Sequence, residues 1–224
     1  MTEYRGLMLP EDLMLLCLEE ATGRVLIDST SLQNALAGAV LLELVNSGRV
    51  AFAPDGKLFV ADPTPLTDSL LQESLARFDK AMKPQRAVER LRSNVRNNVV
   101  AHLEARGVLK VETSKVLGLF PKKSYVVQDR AAVHALRERV GKVAHGYAGP
   151  DDHTGALISL LYAVKGLHRV FTGDKREMNA RAKLIASGSW AGDAVKRALE
   201  AVQVAVMAAV VASTAATASG GGSS

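Results

Sequence analysis

The residues of this sequence best suited to chemistry are two arginines four positions apart, Arg92 and Arg96. On a helix this spacing places two side chains on one face, one turn apart. A guanidinium group is a planar donor that matches the oxygens of a phosphate or a carboxylate. The spacing fits two interpretations. In one, Arg92, Arg96 and the neighbouring Arg90 bind an anionic headgroup; in the other, their stems cover apolar surface and their charges stay in water.

A second basic pair, Lys122 and Lys123, comes just after an apolar run that ends in Leu119 and Phe120. Lysines at the end of a strand can protect the edge of a sheet against unwanted pairing. The same arrangement suits a membrane surface, where apolar side chains enter the lipid and lysines meet the headgroups. These four residues are therefore the predicted membrane contact, with edge protection as the alternative.

Motifs for catalysis, cofactor binding and metal binding are missing from the sequence. It contains no Gly-rich phosphate loop and no His-Glu-x-x-His. In residues 188–192 the serine comes one position too early for a nucleophile elbow. The group Asp151-Asp152-His153 is better explained as the start of a helix, and Cys17 lies in an apolar run typical of a buried thiol. We expect a non-enzymatic protein with no cofactor and no metal.

The charge of the chain is distributed unevenly. Of its 28 basic and 23 acidic residues, 14 basic and 5 acidic residues lie in segment 83–142, which gives that segment a net charge of +9 and the remainder −4. Hydrophobic residues make up 48% of the 224 residues, enough for a sizeable core. A basic segment on such a core indicates an anionic partner, either a membrane or a nucleic acid.

Apolar residues at helical spacing predict that most of the chain is helical. After a short helix that begins near Leu9, we expect helices at 31–46, 69–81, 85–106, 129–145, 152–168, 174–186 and 190–212. Ser69 and Gln72 have the spacing of a capping box. The arginines would then share the single long helix 85–106. The last helix is apolar on all sides, and its segment 201–218 is too rich in Ala, Ser and Thr for a membrane span, so we expect it in the core.

Two short hairpins interrupt the helices. Segments 49–53 and 57–60 flank an Asp55-Gly56 turn. Segments 108–112 and 116–120 indicate a second hairpin, which we expect near residues 108–127. The predicted fold class is mainly α: a single compact helical domain, residues 1–212, with two short β-hairpins and a flexible Ala/Ser/Gly tail, residues 213–224. The N-terminus has no apolar stretch typical of a secretory signal.

Several stretches resemble the Golgi phosphoprotein 3 (GPP-type) family. They are Leu-Pro-Glu-Asp-Leu-Met-Leu-Leu at 9–16, the glycine-containing helix 35–44 followed by Gly48-Arg49-Val50, Asp-x-Leu-Leu-x-Glu at 68–73, Asn-Val-Arg at 94–96 leading to Gly-Val-Leu at 107–109, and the apolar helix 156–163. Their order and spacing extend the resemblance over residues 7–212. The Ala/Val/Arg-rich composition suggests a bacterial relative.

The resemblance implies a mainly helical peripheral membrane protein with a basic pocket for phosphatidylinositol 4-phosphate. It also implies a projecting hairpin for membrane contact or homo-oligomerisation, and eukaryotic members link glycosyltransferase tails to coat proteins. Arg96 matches one arginine of the family's pocket. The other pocket positions carry Ser93, Asp28 and Ala37 here, and an acid at a phosphate site is repulsive. In the alternative interpretation, a nearby carboxylate such as that of Asp28 pairs with Arg96 and closes the site.

These observations favour a cytoplasmic protein that is peripheral to a membrane. It would bind anionic, phosphatidylinositol 4-phosphate-like headgroups through the basic helix and hairpin. As an adaptor, it would also bind a protein partner. The alternative is a winged-helix-like nucleic-acid-binding protein, because a helix followed by a basic hairpin is also the outline of that fold. The chain has few aromatic residues to stack on single-stranded bases. A small hydrolase or transferase is a third class, which no motif supports.

Overall fold

The structure is a computed structural model and describes residues 6–116 and 120–219. Over these residues the chain is mainly helical, as predicted, with two separate two-stranded antiparallel sheets. The helices are α1 Leu9–Leu16, α2 Ser29–Asn46, α3 Ser69–Leu75, α4 Pro84–Arg92, α5 Val95–Ala105, α6 Arg130–His145, α7 Asp152–Ala163, α8 Leu167–Val170, α9 Lys175–Ala186 and α10 Asp193–Ser219. The strands are β1 Val50–Phe52, β2 Leu58–Val60, β3 Leu109–Val116 and β4 Phe120–Val127.

Helix α2 forms the centre of the core and packs against α1, α4, α7 and α10. Gly38 allows two of these helices to approach closely, since a Cβ there would lie 2.7 Å from a methyl of Val206 and 2.8 Å from a methyl of Leu160. Val202, Val206 and Ala209 are buried, so the expectation that the last helix lies in the core is confirmed for this face of α10.

The last helix differs from its prediction in length and in one face. It continues to Ser219 instead of ending at residue 212, and residues 220–224 of the predicted tail lie outside the described part. Val204 and Val211 are exposed although they belong to an apolar helix. Among the residues that the structure describes, no helix combines the length and the hydropathy needed to cross a membrane.

Aspartates begin many of the helices. The side chains of Asp28, Asp68, Asp129, Asp151 and Asp174 each accept a hydrogen bond from a backbone N–H in the first turn of the helix that follows. A carboxylate there satisfies one of the free N–H groups and interacts favourably with the helix dipole. The predicted Ser69/Gln72 capping box is therefore wrong: Asp68 caps α3, while Oε1 of Gln72 accepts from the Leu66 N–H at 2.7 Å.

The predicted long helix 85–106 is two helices. Helix α4 ends at Arg92, Ser93 is extended, and Asn94 adopts a left-handed conformation with φ +61° before α5 begins at Val95. Serine and asparagine compete with helical hydrogen bonding through their own side chains, and asparagine tolerates positive φ. The break places Arg92 and Arg96 on different helices, so the prediction that one helix holds both rigidly is wrong.

The first hairpin has the predicted position, with Val50 opposite Val60. The second lies within the predicted range 108–127, but the predicted pairing of 108–112 with 116–120 is wrong. Strand β3 extends to Val116 and pairs with β4, with Leu109 opposite Val127 and Val111 opposite Tyr125. This register brings apolar residues of both strands onto one face, where Leu109 and Tyr125 are buried.

Helix 152–168 is also divided. Helix α7 ends at Ala163, and the chain turns through Lys165, with φ +55°, and Gly166 before the short α8 begins. The amide of Lys165 donates to the Tyr162 carbonyl and that of Gly166 to the Leu161 carbonyl. These bonds satisfy carbonyls left free at the end of α7, which explains a turn that the apolar periodicity conceals.

Candidate anion-binding site

Arg96 projects from the first turn of α5 against Tyr125 of β4. Its Nη2 donates to the Tyr125 hydroxyl at 2.8 Å, and its Cζ lies 5.3 Å from the centre of the ring, a cation–π geometry. Its Nε is buried and has no acceptor among the described residues. No carboxylate of residues 6–116 and 120–219 forms an ion pair with Arg96. The site thus contains a half-buried cation that no described acid neutralises.

The position of Tyr125 is fixed by the loop between α1 and α2. The amide of Tyr125 donates to the Gly23 carbonyl at 3.2 Å. Gly23 has φ +64°, and a Cβ there would lie 2.8 Å from the Tyr125 nitrogen and closer still to its carbonyl oxygen. Only glycine fits this approach. Gly23 and Tyr125 are far apart in the sequence, so this support of the site follows only from the fold.

Arg92 is the last residue of α4 and is half-buried. Its guanidinium has no hydrogen-bond or ion-pair partner among residues 6–116 and 120–219. Arg92 lies on a different helix from Arg96, and its binding to an anion stays a prediction.

Arg90 has a structural role. Its guanidinium forms an ion pair with Asp79 and donates to the Arg77 carbonyl at 3.0 Å. Arg77 in turn donates to the Arg90 carbonyl at 2.9 Å. These contacts fix the segment after α3 against α4. The donors of Arg90 are engaged within the protein, so Arg90 contributes less to an anion site than its sequence position indicates.

The three divergent pocket positions have separate roles. Asp28 caps α2 by accepting from the Ser31 N–H at 2.8 Å; burial raises its pKa, but the hydrogen bonds from Ser31 outweigh that effect and lower it. Among the described contacts, the alternative pairing of Asp28 with Arg96 does not form. Ala37 is fully buried in α2, whereas Ser93 is exposed at the end of α4.

Of the predicted membrane-contact residues, Lys123 is the one whose side chain can be described. It is exposed on β4 opposite Thr113, two residues before Tyr125 and hence on the same face of the strand. For Phe120 and Lys122 only the backbone is placed, opposite Val116 and Ser114. Leu119 lies outside the described residues. Membrane contact through this hairpin stays a prediction.

A cluster of buried polar side chains near the start of α1 was not predicted from the sequence. Glu11 is fully buried, with Oε1 3.0 Å from Nδ1 of His102 and Oε2 accepting from Arg106 at 2.7 Å. Nε2 of His102 lies 2.9 Å from Asp68. Arg106, one of the basic residues of segment 83–142, thus binds a buried acid and does not contribute to an anion-binding surface.

The neighbouring acids have similar structural roles. Asp151 caps α7, which confirms that the Asp151-Asp152-His153 group begins a helix, and His153 lies 2.7 Å from the buried Asp12. Burial raises the pKa of Glu43, even though its Oε1 accepts from the Leu9 N–H at 2.7 Å. The side chains around α1 therefore form polar anchors between helices.

Cys17 is buried, as predicted, and burial raises the pKa of its thiol to about 12. Arg137 lies beside it and donates to the carbonyls of Leu16 and Leu18, which satisfies the C-terminal end of α1. Nε of Arg137 is 2.9 Å from a carboxylate oxygen of Glu20 but lacks hydrogen-bond alignment. Burial lowers the pKa of Arg137. This arginine is another cation of the basic segment that serves the fold.

The fold defines a mainly helical domain in which a two-stranded hairpin packs beside α5. The family model for Golgi phosphoprotein 3 (GPP34) matches residues 9–202. The match covers well over half of the chain, so the chain belongs to the Golgi phosphoprotein 3 family. A search of curated proteins gave no significant match.

Proposed function

We propose that this protein binds the anionic headgroups of a membrane surface, of the phosphatidylinositol 4-phosphate type, at Arg96, with Arg92 and Lys123 beside it. The observation that carries the proposal is the burial of the Arg96 guanidinium without a described carboxylate partner. A half-buried guanidinium with no described acid to neutralise it and with an unsatisfied Nε is costly, because burial removes water from both the charge and the donor. A phosphate oxygen would supply both the missing acceptor and the missing charge.

The surface charge around this site supports an anionic surface as the partner. Several cations of the basic segment are engaged internally, by Glu11, Asp79, Glu89, Glu112, Glu138 or carbonyl groups. Others have no partner among the described residues and stay free for an external anion. These are Lys83, Arg92, Lys123 and Arg130. Each basic residue near an anionic membrane surface contributes about 1 kcal/mol, so such a set gives binding that depends strongly on salt.

The exposed face of α5 argues against duplex DNA. A recognition helix needs an exposed basic face that fits the major groove. The exposed residues of α5 are Asn97, Ala101, Glu104 and Ala105, none of them basic, and His102 contacts the buried Glu11. The protein would accordingly act in the cytoplasm, at the surface of a membrane, as a binding protein without catalytic activity, and the hairpin β3–β4 would provide contact with lipid or with a second copy.

The test is flotation of the protein with liposomes of three compositions: neutral lipid, neutral lipid with phosphatidylserine, and neutral lipid with phosphatidylinositol 4-phosphate. Arg96→Ala is expected to weaken binding to the anionic liposomes by about 1.5–3 kcal/mol, the range for a hydrogen bond to a charged group. Arg86→Ala is the matched control, because Arg86 lies on α4, is 64% exposed and contacts Glu89.

The three liposome types separate the outcomes. Preference for phosphatidylinositol 4-phosphate over phosphatidylserine at equal surface charge supports a headgroup site, whereas equal binding to both supports a charged surface without a pocket. Equal affinities of wild type and Arg96→Ala, with both folded, would overturn the proposal. A duplex-DNA shift assay on the same preparations tests the nucleic-acid alternative.

A further inference from the structure

A groove of about 520 Å³ lies between the turn after α7, the start of α9 and the second half of α10. Its wall is mainly apolar and is formed by Tyr162, Met207, Val210 and Val211. Val211 is 67% exposed, although it lies on an otherwise apolar stretch of α10. The volume falls within the range of roughly 300–1,000 Å³ that is usual for small-molecule sites. Its apolar lining suits a hydrocarbon chain.

The polar side chains of the groove are mostly basic. Lys165 and Lys175 are exposed, and His168 is half-buried between them. No acid lines the groove, and within the described chain neither lysine forms an ion pair. Burial, reinforced by the charges of Lys175 and Arg169, lowers the pKa of His168. Three basic side chains therefore surround a space that no described carboxylate neutralises.

An adjoining cavity of about 590 Å³ shares Lys165, His168 and Val210 with the groove and adds Arg169. It contains one carboxylate, that of Asp28, whose Oδ1 accepts from the Ser31 N–H that it caps. The acid is thus engaged at the start of α2. The positive potential consequently extends along both cavities.

The backbone conformation of Lys165 is energetically unfavourable. It is one of two non-glycine residues with positive φ in residues 6–116 and 120–219, the other being Asn94. A left-handed conformation costs an L-residue roughly 1–2 kcal/mol, and asparagine tolerates it much better than lysine. The turn could be made without this cost by glycine. With lysine, the same turn places a basic side chain at the groove.

The geometry points to a binding site for a single acyl chain with a monoanionic head, taken up as a free amphiphile such as a fatty acid. The chain would lie along Tyr162, Met207, Val210 and Val211, and the carboxylate would lie among the three basic side chains. The apolar wall supplies affinity through burial of methylene groups, and the cations select the sign of the head. This inference does not rest on the proposed function, since the groove shares no residue with the Arg96 site.

The direct test is titration of the protein with decanoate below its micellar concentration, observed through the methyl resonance of Met207. We expect saturable binding. Decyltrimethylammonium has a similar chain and the opposite charge, and we expect it to bind at least about tenfold more weakly, the effect of 1.4 kcal/mol. Acetate, which has the head without the chain, is expected to leave the resonance unchanged. Equal binding of the two amphiphiles, or no response to decanoate, would overturn the inference.

Two matched pairs of variants locate the site. Lys175→Gln removes a cation of the groove, and Lys183→Gln makes the same change on the exposed side of the same helix. Val211→Asp places a carboxylate in the wall, and Val204→Asp does so on α10 outside the groove, at the nearly equal exposure of 66%. Each groove variant should weaken decanoate binding by about tenfold, the scale of one charge-assisted contact, while the controls retain wild-type affinity.

The ionisation of His168 gives a second measurement. A carboxylate bound beside it should raise its pKa towards the ordinary value, which a titration of the imidazole resonances with and without decanoate will show. An unchanged pKa would overturn the placement of the head. Liposome flotation of Val211→Asp should match that of the wild type. Loss of decanoate binding with intact flotation, or the reverse in Arg96→Ala, therefore distinguishes the two proposals.

Discussion

Nη2 of Arg96 lies 2.8 Å from the hydroxyl oxygen of Tyr125, and this contact joins α5 to the hairpin β3–β4 across 29 positions of the chain. The ring of Tyr125 also lies under the guanidinium, so a single aromatic residue both supports the cation and occupies one of its donors. The Nε of Arg96 is buried and has no acceptor among the described residues. Arg96 is thus held in place by a group that does not neutralise it.

The first prediction concerns this hydrogen bond. Tyr125→Phe keeps the ring but removes the hydroxyl, so we expect the free energy of unfolding to fall by about 1 kcal/mol, the usual net value of such a bond. Urea denaturation measures the change. Binding to anionic liposomes should persist, because the ring still supports the guanidinium and one more donor becomes free. Loss of liposome binding in a folded variant would show that the hydroxyl itself is needed.

The second prediction tests the glycine that supports Tyr125. Gly23→Ala introduces both an unfavourable positive φ and a collision with the backbone of Tyr125. Gly48→Ala has the same conformational problem at φ +71° but meets no atom within 4 Å. We expect Gly23→Ala to be more destabilising than Gly48→Ala by about 1 kcal/mol or more, the lower range for overpacking. Equal melting temperatures would mean that the loop moves away from β4 at little cost.

The third prediction concerns the buried acid of α1. Glu11→Gln leaves His102 and Arg106 without their carboxylate, so we expect a loss of about 2 kcal/mol in unfolding free energy, within the range for hydrogen bonds to charged groups. Glu89→Gln, which breaks the surface pair with Arg86, should cost less than about 1 kcal/mol. Chemical denaturation of both variants in the same buffer provides the comparison. A larger loss for Glu89→Gln would contradict the structural role of Glu11.

The fourth prediction uses the raised pKa of Glu43. Because burial raises this pKa, the folded protein holds the proton more tightly than the unfolded chain, and stability from this group is lost as pH rises through the folded-state pKa. Gln cannot titrate but can still accept from the Leu9 N–H. Glu43→Gln should therefore be more favourable, relative to the wild type, at about pH 7 than at about pH 4. A stability difference independent of pH would contradict the shift.

The fifth prediction concerns the thiol of Cys17, whose pKa is raised to about 12 and whose side chain is buried. Only the thiolate is nucleophilic, so the folded protein should react with Ellman's reagent far more slowly than the unfolded chain in urea. The time course of absorbance measures both. Rapid labelling without denaturant would show that α1 opens readily.

Family membership and the helical class are readable in the sequence because they rest on local signals. Aspartates such as Asp28 and Asp174 mark helix starts by their ability to accept backbone N–H bonds. The Asp55-Gly56 turn fixes the first hairpin, since Gly56 adopts the positive φ of +77° that the turn requires. The apolar run around Cys17 predicts that α1 is buried. Each of these signals acts within a few residues.

The helix breaks could not be predicted in the same way. Apolar spacing continues across Asn94 and across Lys165, so periodicity alone joins α4 to α5 and α7 to α8. What separates them is packing: Val95 and Leu167 are both buried just beyond the turns. A local preference of a few tenths of a kcal/mol is overridden by burial of whole side chains.

The sequence by itself determined the family, the mainly helical class and the basic segment. The tertiary structure alone decided which of those charges face outward. Arg106 and Glu11 are 95 positions apart, and Arg137 reaches the Leu18 carbonyl across 119 positions. No local pattern predicts such contacts. The sequence around a charged residue does not reveal whether its partner is a buried acid, a helix end or a ligand. Only the folded chain shows that Arg96 contacts a tyrosine and forms no ion pair with a described acid.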